Sequence, residues 1–199
     1  MLKIKRFVGG ELQSNCYIVN NDAKPSCFVI DPGYEPGRII RYIEENGLKP
    51  AGIILTHHHH DHTGAARRVG DHFGCPLMMS FADSLMYKGK IDRYLADGEA
   101  LELDGEKFTV LLTPGHTHGS LCLLAAESRL VFTGDTIFDT DLGRTDLTDG
   151  SAAEMISSCR EVIDRWPNDY RIYPGHDESA TMKQVRTYNS EFLQCLEVR

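Results

Sequence analysis

The residues with the most evident chemistry lie together at positions 56–62, THHHHDH, where four histidines run straight on from the apolar stretch Ile53, Ile54 and Leu55. On an extended backbone alternate side chains share a face, so His57 and His59 point together while His58 points away. Asp61 and His62 follow at a turn, from which they can face the same cavity from its other side and serve a second ion. An internal run of this kind is not an expression tag, which sits at a terminus. Three further segments place a metal-binding side chain in a glycine-containing turn behind an apolar run: Pro114-Gly115-His116, Gly134-Asp135 and Pro174-Gly175-His176. Together they give five imidazoles, His57, His59, His62, His116 and His176, and two carboxylates, Asp61 and Asp135. Nitrogen and oxygen donors without thiolate suit zinc, iron or manganese rather than a structural zinc knot. His58, His60 and His118 fall outside this pattern and read as groups that at most support a ligand or line the cavity, and His72 reads as surface.

The elements that must position these residues are short. Apolar runs bounded by Gly, Pro, Asn or Asp predict strands at 16–19, 27–30, 52–56, 76–79, 108–113, 121–125, 130–133 and 171–173. Helical periodicity appears at 36–46, where Ile39, Ile40 and Ile43 form a stripe that Gly47 can close. A second helix opens on the capping pattern Ser151 to Glu154, carries Met155, Cys159, Val162, Ile163 and Trp166, and stops at Pro167. A last helix is expected over 180–196, burying Met182, Val185, Phe192 and Leu196. There is also an internal echo: residues 14–33 and 120–136 both read as strand, turn, strand and a loop bearing an aspartate, Asp31 or Asp135. Each half has a strand that runs into histidines, so two such half-units packed face to face would bring both histidine clusters to one rim.

Composition narrows the setting. With 199 residues, 41% of them hydrophobic and 25% charged, the chain reads as one folded domain, 1–199, with a sizeable core. Lys and Arg number 21 against 29 Asp and Glu, and the net charge of −8 repels phosphate backbones, so no nucleic-acid partner is expected. No apolar run is long enough to span a bilayer and residues 1–10 lack a signal-peptide core, which predicts a cytoplasmic protein with no membrane partner. The six cysteines have no CxxC spacing and sit in apolar surroundings, the pattern of buried reduced thiols.

Residues of these types in this order resemble the metallo-β-lactamase superfamily. Its HxHxDH motif, later histidine, bridging aspartate and final histidine match His57, His59, Asp61, His62, His116, Asp135 and His176 at all seven positions. The resemblance runs from about Ser14 to His176 and includes the turn Asp31-Pro32-Gly33 and the TGDT of residues 133–136. Within the superfamily the chain is most similar to glyoxalase II, the hydroxyacylglutathione hydrolases, and to short bacterial relatives with a GRTDL segment, here residues 143–147. That resemblance implies an α/β fold, a four-layer αββα sandwich, with a dinuclear site at one edge. His57, His59 and His116 would hold one divalent ion, Asp61, His62 and His176 the other, and Asp135 would bridge them. Zinc is the first expectation, with iron or manganese as alternatives. Two such ions bring about +4 and the two aspartates with a bridging hydroxide remove about 3, leaving a site of about +1 that favours anionic or carbonyl substrates. A metal-bound hydroxide then attacks a carbonyl while the second ion stabilises the oxyanion, and Asp61 counts with that hydroxide as catalytic. Asp31 is expected to hold a ligand's orientation by hydrogen bond, and Arg144 to grip a substrate carboxylate or to fix its own loop.

The chain departs from full-length glyoxalase II in having only 23 residues after His176, so the helical C-terminal domain that supplies much of the glutathione grip in that family is not expected here. Reaction type therefore transfers more directly than substrate. His118 also stands where the PGHTxGS segment of many relatives carries proline. The expected function is hydrolysis of a small thioester, S-lactoylglutathione or similar, by a monomer or homodimer. An iron-dependent persulfide dioxygenase and a lactonase are the enzyme alternatives on the same fold. A closed metal-buffering protein is the non-enzymatic one.

Overall fold

The computed structural model describes residues 1–197. Two six-stranded sheets face each other. In the first, β1 (Leu2–Gly9), β2 (Ser14–Asn21), β3 (Ser26–Ile30), β4 (Lys49–Ile54), β5 (Leu77–Ser80) and β6 (Arg93–Leu95) lie in sequence order. In the second, β7 (Ala100–Leu103), β8 (Glu106–Leu112), β9 (Leu121–Ala125), β10 (Leu130–Gly134), β11 (Arg171–Pro174) and β12 (Ala180–Thr181) follow the same rule. Helices α1 (Pro36–Glu45), α2 (His60–Thr63), α3 (Ala66–Phe73) and α4 (Phe81–Ser84) belong to the first half, and α5 (Ala152–Glu161), α6 (Met182–Tyr188) and α7 (Ser190–Glu197) to the second.

Side-chain alternation along the strands builds the layers. Tyr17, Val19, Phe28, Ile30, Ile54 and Met78 of the first sheet meet Phe108, Val110, Leu121, Leu123 and Phe132 of the second between the sheets. Their sequence neighbours Ile18, Val29, Ile53 and Leu77 face outwards onto Ile39 and Ile43 of α1 and Ala66 and Val69 of α3. Cys122 and Val131 face outwards onto Met155 and Cys159 of α5, Met182 and Val185 of α6 and Phe192 of α7. The result is the αββα sandwich, and it explains why the central strands read as unbroken apolar runs: both faces are buried. All six cysteines are buried and free.

The internal echo has a topological counterpart. β1, β2, β3 and β4 pair antiparallel, antiparallel, parallel, and β8, β9, β10 and β11 repeat that series. Asp31 and Asp135 leave the equivalent strands β3 and β10 at the same end of the sandwich as His57 and His176, which leave β4 and β11.

Two expectations need correction. The helix over 180–196 is instead a short strand and two helices broken at Asn189, whose fully buried side chain accepts the Phe192 N–H (2.8 Å) and donates to the Phe138 and Asp141 carbonyls (3.1 and 2.7 Å). An asparagine engaged in this way satisfies backbone groups that a continuous helix would leave to itself. The strands β1, β6 and β7 carry no apolar run, because each is at or near a sheet edge and covers the core with one face only. Among the described residues no helix is long and apolar enough to cross a membrane.

Phe132 is fully buried between the sheets with its ring centroid 5.3 Å from those of both Tyr17 and Tyr173. Phe132→Ala should lower the unfolding free energy of the metal-free protein by about 3–5 kcal/mol, read from urea unfolding, since the cavity lies where two rigid sheets cannot close over it.

Candidate metal centre

The rim where both sheets end is stitched before any ligand is considered. Leu121 N–H donates to the Thr56 carbonyl (3.0 Å) and Asn15 N–H to the Gly175 carbonyl (2.6 Å), while the Asn15 amide and the Tyr17 hydroxyl both donate to the Pro174 carbonyl (2.9 and 2.7 Å). These bonds tie the loop after β4 to β9 and the end of β11 with its following loop to β2, each to the opposite sheet. Two glycines let the loops come close. A Cβ on Gly33 would overlap the Asp61 carbonyl, and one on Gly175 would overlap an Asp135 carboxylate oxygen and crowd the His62 ring.

All seven residues singled out as ligands come together at this rim. His57, His59 and His116 form one group able to hold an ion, and Asp61, His62 and His176 form another. Asp135 stands between them. Its Oδ2 lies 3.9 Å from His57 Nε2, 3.6 Å from His116 Nε2 and 3.3 Å from His176 Nε2, and its Oδ1 lies 3.4 Å from His62 Nε2. Asp61 Oδ2 lies 3.1 Å from His62 Nε2 and 3.3 Å from His176 Nε2. His116 Nε2 is 2.9 Å from His59 Nδ1. Donor atoms on a tetrahedral ion, each about 2.0–2.1 Å from it, stand about 3.3 Å apart, so small adjustments would seat one in each group.

The ring tautomers are set from outside the cage. The Thr56 hydroxyl spends its one proton on Asp31 Oδ2 (2.6 Å), so its oxygen, 3.1 Å from His57 Nδ1, accepts from that nitrogen. His116 Nδ1 donates to the Arg144 carbonyl (2.8 Å) and His176 Nδ1 to the Leu12 carbonyl (3.0 Å). In the neutral ring, each bond leaves Nε2 with its lone pair towards the cage. His57 Nε2 and Asp135 Oδ1 are buried with no hydrogen-bond partner, which is costly unless a cation completes them. This donor set of nitrogens and carboxylate oxygens fits two divalent ions.

Charge is divided unevenly over these side chains. Burial, with the like charge of His62, holds His57 well below the ordinary histidine range, and burial with His116 and His58 brings His59 down to about 4. Burial opposes charge on His62 and His176 as well, but Asp135 and Asp61 outweigh it, raising His62 strongly and His176 to about 10. Burial likewise works against the Asp61 and Asp135 carboxylates, yet the same two histidines hold both well below the usual range. His62 and His176 are thus the two rings that the neighbouring carboxylates favour in the protonated form.

The other candidates fall in three places. Asp31, buried, also accepts the Thr56 N–H (2.7 Å) and lies 3.5 Å from His62 Nδ1, so it touches the surroundings of both ligand groups. The Arg144 guanidinium is exposed and bonded twice to Asp146 (2.7 and 2.9 Å), while its backbone carbonyl serves His116. His118 is not brought to the site: it is exposed and paired with Glu154 of α5 (2.9 Å). His58 points away from the cage to Asp83 and Asp149, His60 lines the cavity above it, and His72 is a surface residue paired with Glu44. Sequence reasoning missed Asp83, Thr56 and the Leu12 carbonyl. Thr56 could have been found from its place beside the histidine run, but backbone acceptors and a lone aspartate in FADS leave no pattern.

A cavity of about 530 Å³ opens over the cage, walled by Leu12, Phe138 and Leu147 and floored by His59, Asp61, His116, Asp135 and His176. A paired-ion cage under an open cavity is the arrangement of a metallohydrolase. The model of the metallo-beta-lactamase superfamily matches residues 9–176, and the chain belongs to that superfamily. It is 35% identical to the hydroxyacylglutathione hydrolase GloC of Haemophilus influenzae over 195 aligned residues, covering 89% of this chain and 92% of that protein. Among solved structures it is similar to the BLEG-1 B3 metallo-beta-lactamase, with a TM-score of 0.87 and 27% identity over 94% of this chain and 98% of that one. It is also similar to TTHA1623 in a di-iron-bound form, with a TM-score of 0.83 and 28% identity over the same shares.

Two outcomes follow for the cage. Gly175→Ala should leave the fold intact but weaken metal binding by about 10- to 100-fold, measured by zinc competition against a chelator, because its Cβ occupies the space of Asp135 and His62. At neutral pH the raised His62 and His176 carry protons that an incoming ion must displace, so metal loading should release about two protons in an unbuffered titration and affinity should weaken as pH falls. No proton release at pH 7 would contradict this charge distribution.

Proposed function

We propose that the protein is a metal-dependent hydrolase of small thioesters, of the glyoxalase II kind, acting on S-lactoylglutathione or a related thiol ester. The observation that carries this reading is the paired ligand cage with buried, unpartnered donor atoms lying open beneath a cavity with an apolar wall. Similarity to GloC over 92% of that protein's length supports the thioester, since the match is not confined to a shared half. Two divalent ions held by the cage would lower the pKa of a coordinated water towards neutrality and polarise a carbonyl.

The chain's own residues do the rest. Thr56, the Arg144 carbonyl and the Leu12 carbonyl keep three imidazoles in the tautomer that presents Nε2, so no ring has to turn during turnover. Asp135 spans the two groups and fixes their separation. Asp61, at the cavity floor, offers a carboxylate that stays ionised and can orient the attacking water by accepting a hydrogen bond from it. Leu12, Phe138 and Leu147 exclude water on one side and receive the apolar part of the acyl or thiol group. The guanidinium of Arg144, already paired with Asp146, is assigned to holding its loop rather than to gripping a carboxylate.

With S-D-lactoylglutathione and metal-loaded protein, kcat/KM above about 10⁴ M⁻¹s⁻¹ is expected, the range of a genuine substrate. His59→Ala should lose one ion and at least about 100-fold in kcat/KM. Full metal content with full hydrolysis in that variant would remove the basis of the reading. The di-iron form of a related structure gives the iron-dependent alternative its own arm: oxygen uptake with glutathione persulfide on iron-loaded protein, expected to be absent.

A further inference from the structure

Asp83 lies outside the cage, at the start of α4, and its side chain is almost fully buried, with 1% of the residue exposed. A buried carboxylate persists only when its lone pairs are filled, and the partners that fill those of Asp83 come from two loops. Oδ2 accepts the His58 backbone N–H (2.7 Å) and the Thr117 hydroxyl (2.9 Å), with His58 Nδ1 at 3.1 Å, and Oδ1 accepts the Gly119 backbone N–H (2.7 Å). The His58 amide belongs to the peptide between His57 and His58, directly before His59, and Thr117 directly follows His116. One carboxylate thus grips the chain at all three ligands of one group. His57 and His59 follow a strand of the first sheet and His116 a strand of the second. Thr117 is itself locked, with its oxygen 2.7 Å from Ser120 Oγ and its N–H donating to that oxygen (3.1 Å). Gly119 has no room for a side chain, since a Cβ there would overlap Asp83 and Ser80.

We propose that Asp83 is a positioning residue for the ion held by His57, His59 and His116: it sets the register between the two loops that supply them. The inference rests on the paired-cage reading but not on the identity of the substrate. The other group, Asp61, His62 and His176, has no contact with Asp83 among the hydrogen bonds and ion pairs of the described residues, and its ion should be indifferent to it.

Asparagine is the informative replacement. It keeps the shape, but in either rotamer its NH₂ faces a backbone N–H, that of His58 or that of Gly119, so one of the two loops loses a backbone anchor. Stepwise zinc titration of the metal-free full chain against a chromophoric chelator reads both ions without reference to activity. In Asp83→Asn one zinc step should weaken about 10- to 100-fold, as it does more severely in His116→Ala, while the other stays within about threefold of wild type. Thr117→Val should weaken the same step, and Thr117→Ser, which keeps the hydroxyl, should not. Two unchanged steps in folded Asp83→Asn would overturn the proposal, as would equal weakening of both steps with a lowered melting temperature, the mark of a merely structural residue. If Asp83→Asn does not fold, identical zinc affinities in Thr117→Val and Thr117→Ser overturn it. A wild-type chain that binds fewer than two zinc ions would bring down the paired cage and this inference with it, whereas failure of thioester hydrolysis leaves the titration standing.

Discussion

The structure turns on the cost of gathering polar side chains at a buried seam. His57, His62 and Asp135 are almost fully buried where the two sheets end, and Asp61, His59, His116 and His176 crowd the same few ångströms. Without compensation such a group is strongly unfavourable, because each lone pair has left water and only some have found donors. In the metal-free protein, protons on His62 and His176 against the two aspartates offset part of that cost. His57 Nε2 and Asp135 Oδ1 remain unpartnered. The rest of the fold can be understood as the frame that holds this frustrated cluster in place until cations resolve it.

That frame is unusually direct. His57, His59, His116, Asp135 and His176 follow strand ends closely and Asp61 and His62 lie on the short helix α2, so the candidate ligands take their positions from a sheet packed on both faces and the helix that follows it. Bonds between the sheets at the rim, from Asn15 and Tyr17 to the loop after β11 and from Leu121 to Thr56, align the two halves. Outside the ligands lies a ring of orienting groups: Asp31 through Thr56, the carbonyls of Leu12 and Arg144, and Asp83 beneath two loops. Close backbone approach at Gly33 and Gly175 keeps the shell tight. Reactivity is then placed where the frame is open, under the cavity edged by Leu12, Phe138 and Leu147.

Much of this could be read from the chain because the ligands are strong signals in a fixed order. Five histidines and two aspartates at strand-end turns can be seen one by one, and period two correctly sends His57 and His59 one way and His58 the other. The central strands were legible for a physical reason, since a strand buried on both faces has to be apolar throughout. Edge strands β1, β6 and β7 were not, because half of each faces solvent. The break at Asn189 was hidden within good helical spacing, as its cause is a tertiary contact with the carbonyls of residues 138 and 141. His118, expected at most to support a ligand or line the cavity, is carried outwards by the turn to Glu154. Asp83 could not be found from sequence, because three of the groups it holds are backbone amides or a hydroxyl common to many loops.

The central claim is that two ions share this seam with Asp135 between them. Anomalous scattering from crystals of the metal-loaded protein, collected on either side of the zinc edge, tests it most directly. The account predicts two peaks per chain about 3.5–4 Å apart, one against His57, His59 and His116 and the other against Asp61, His62 and His176. A single peak, or a second one away from Asp135, would contradict it.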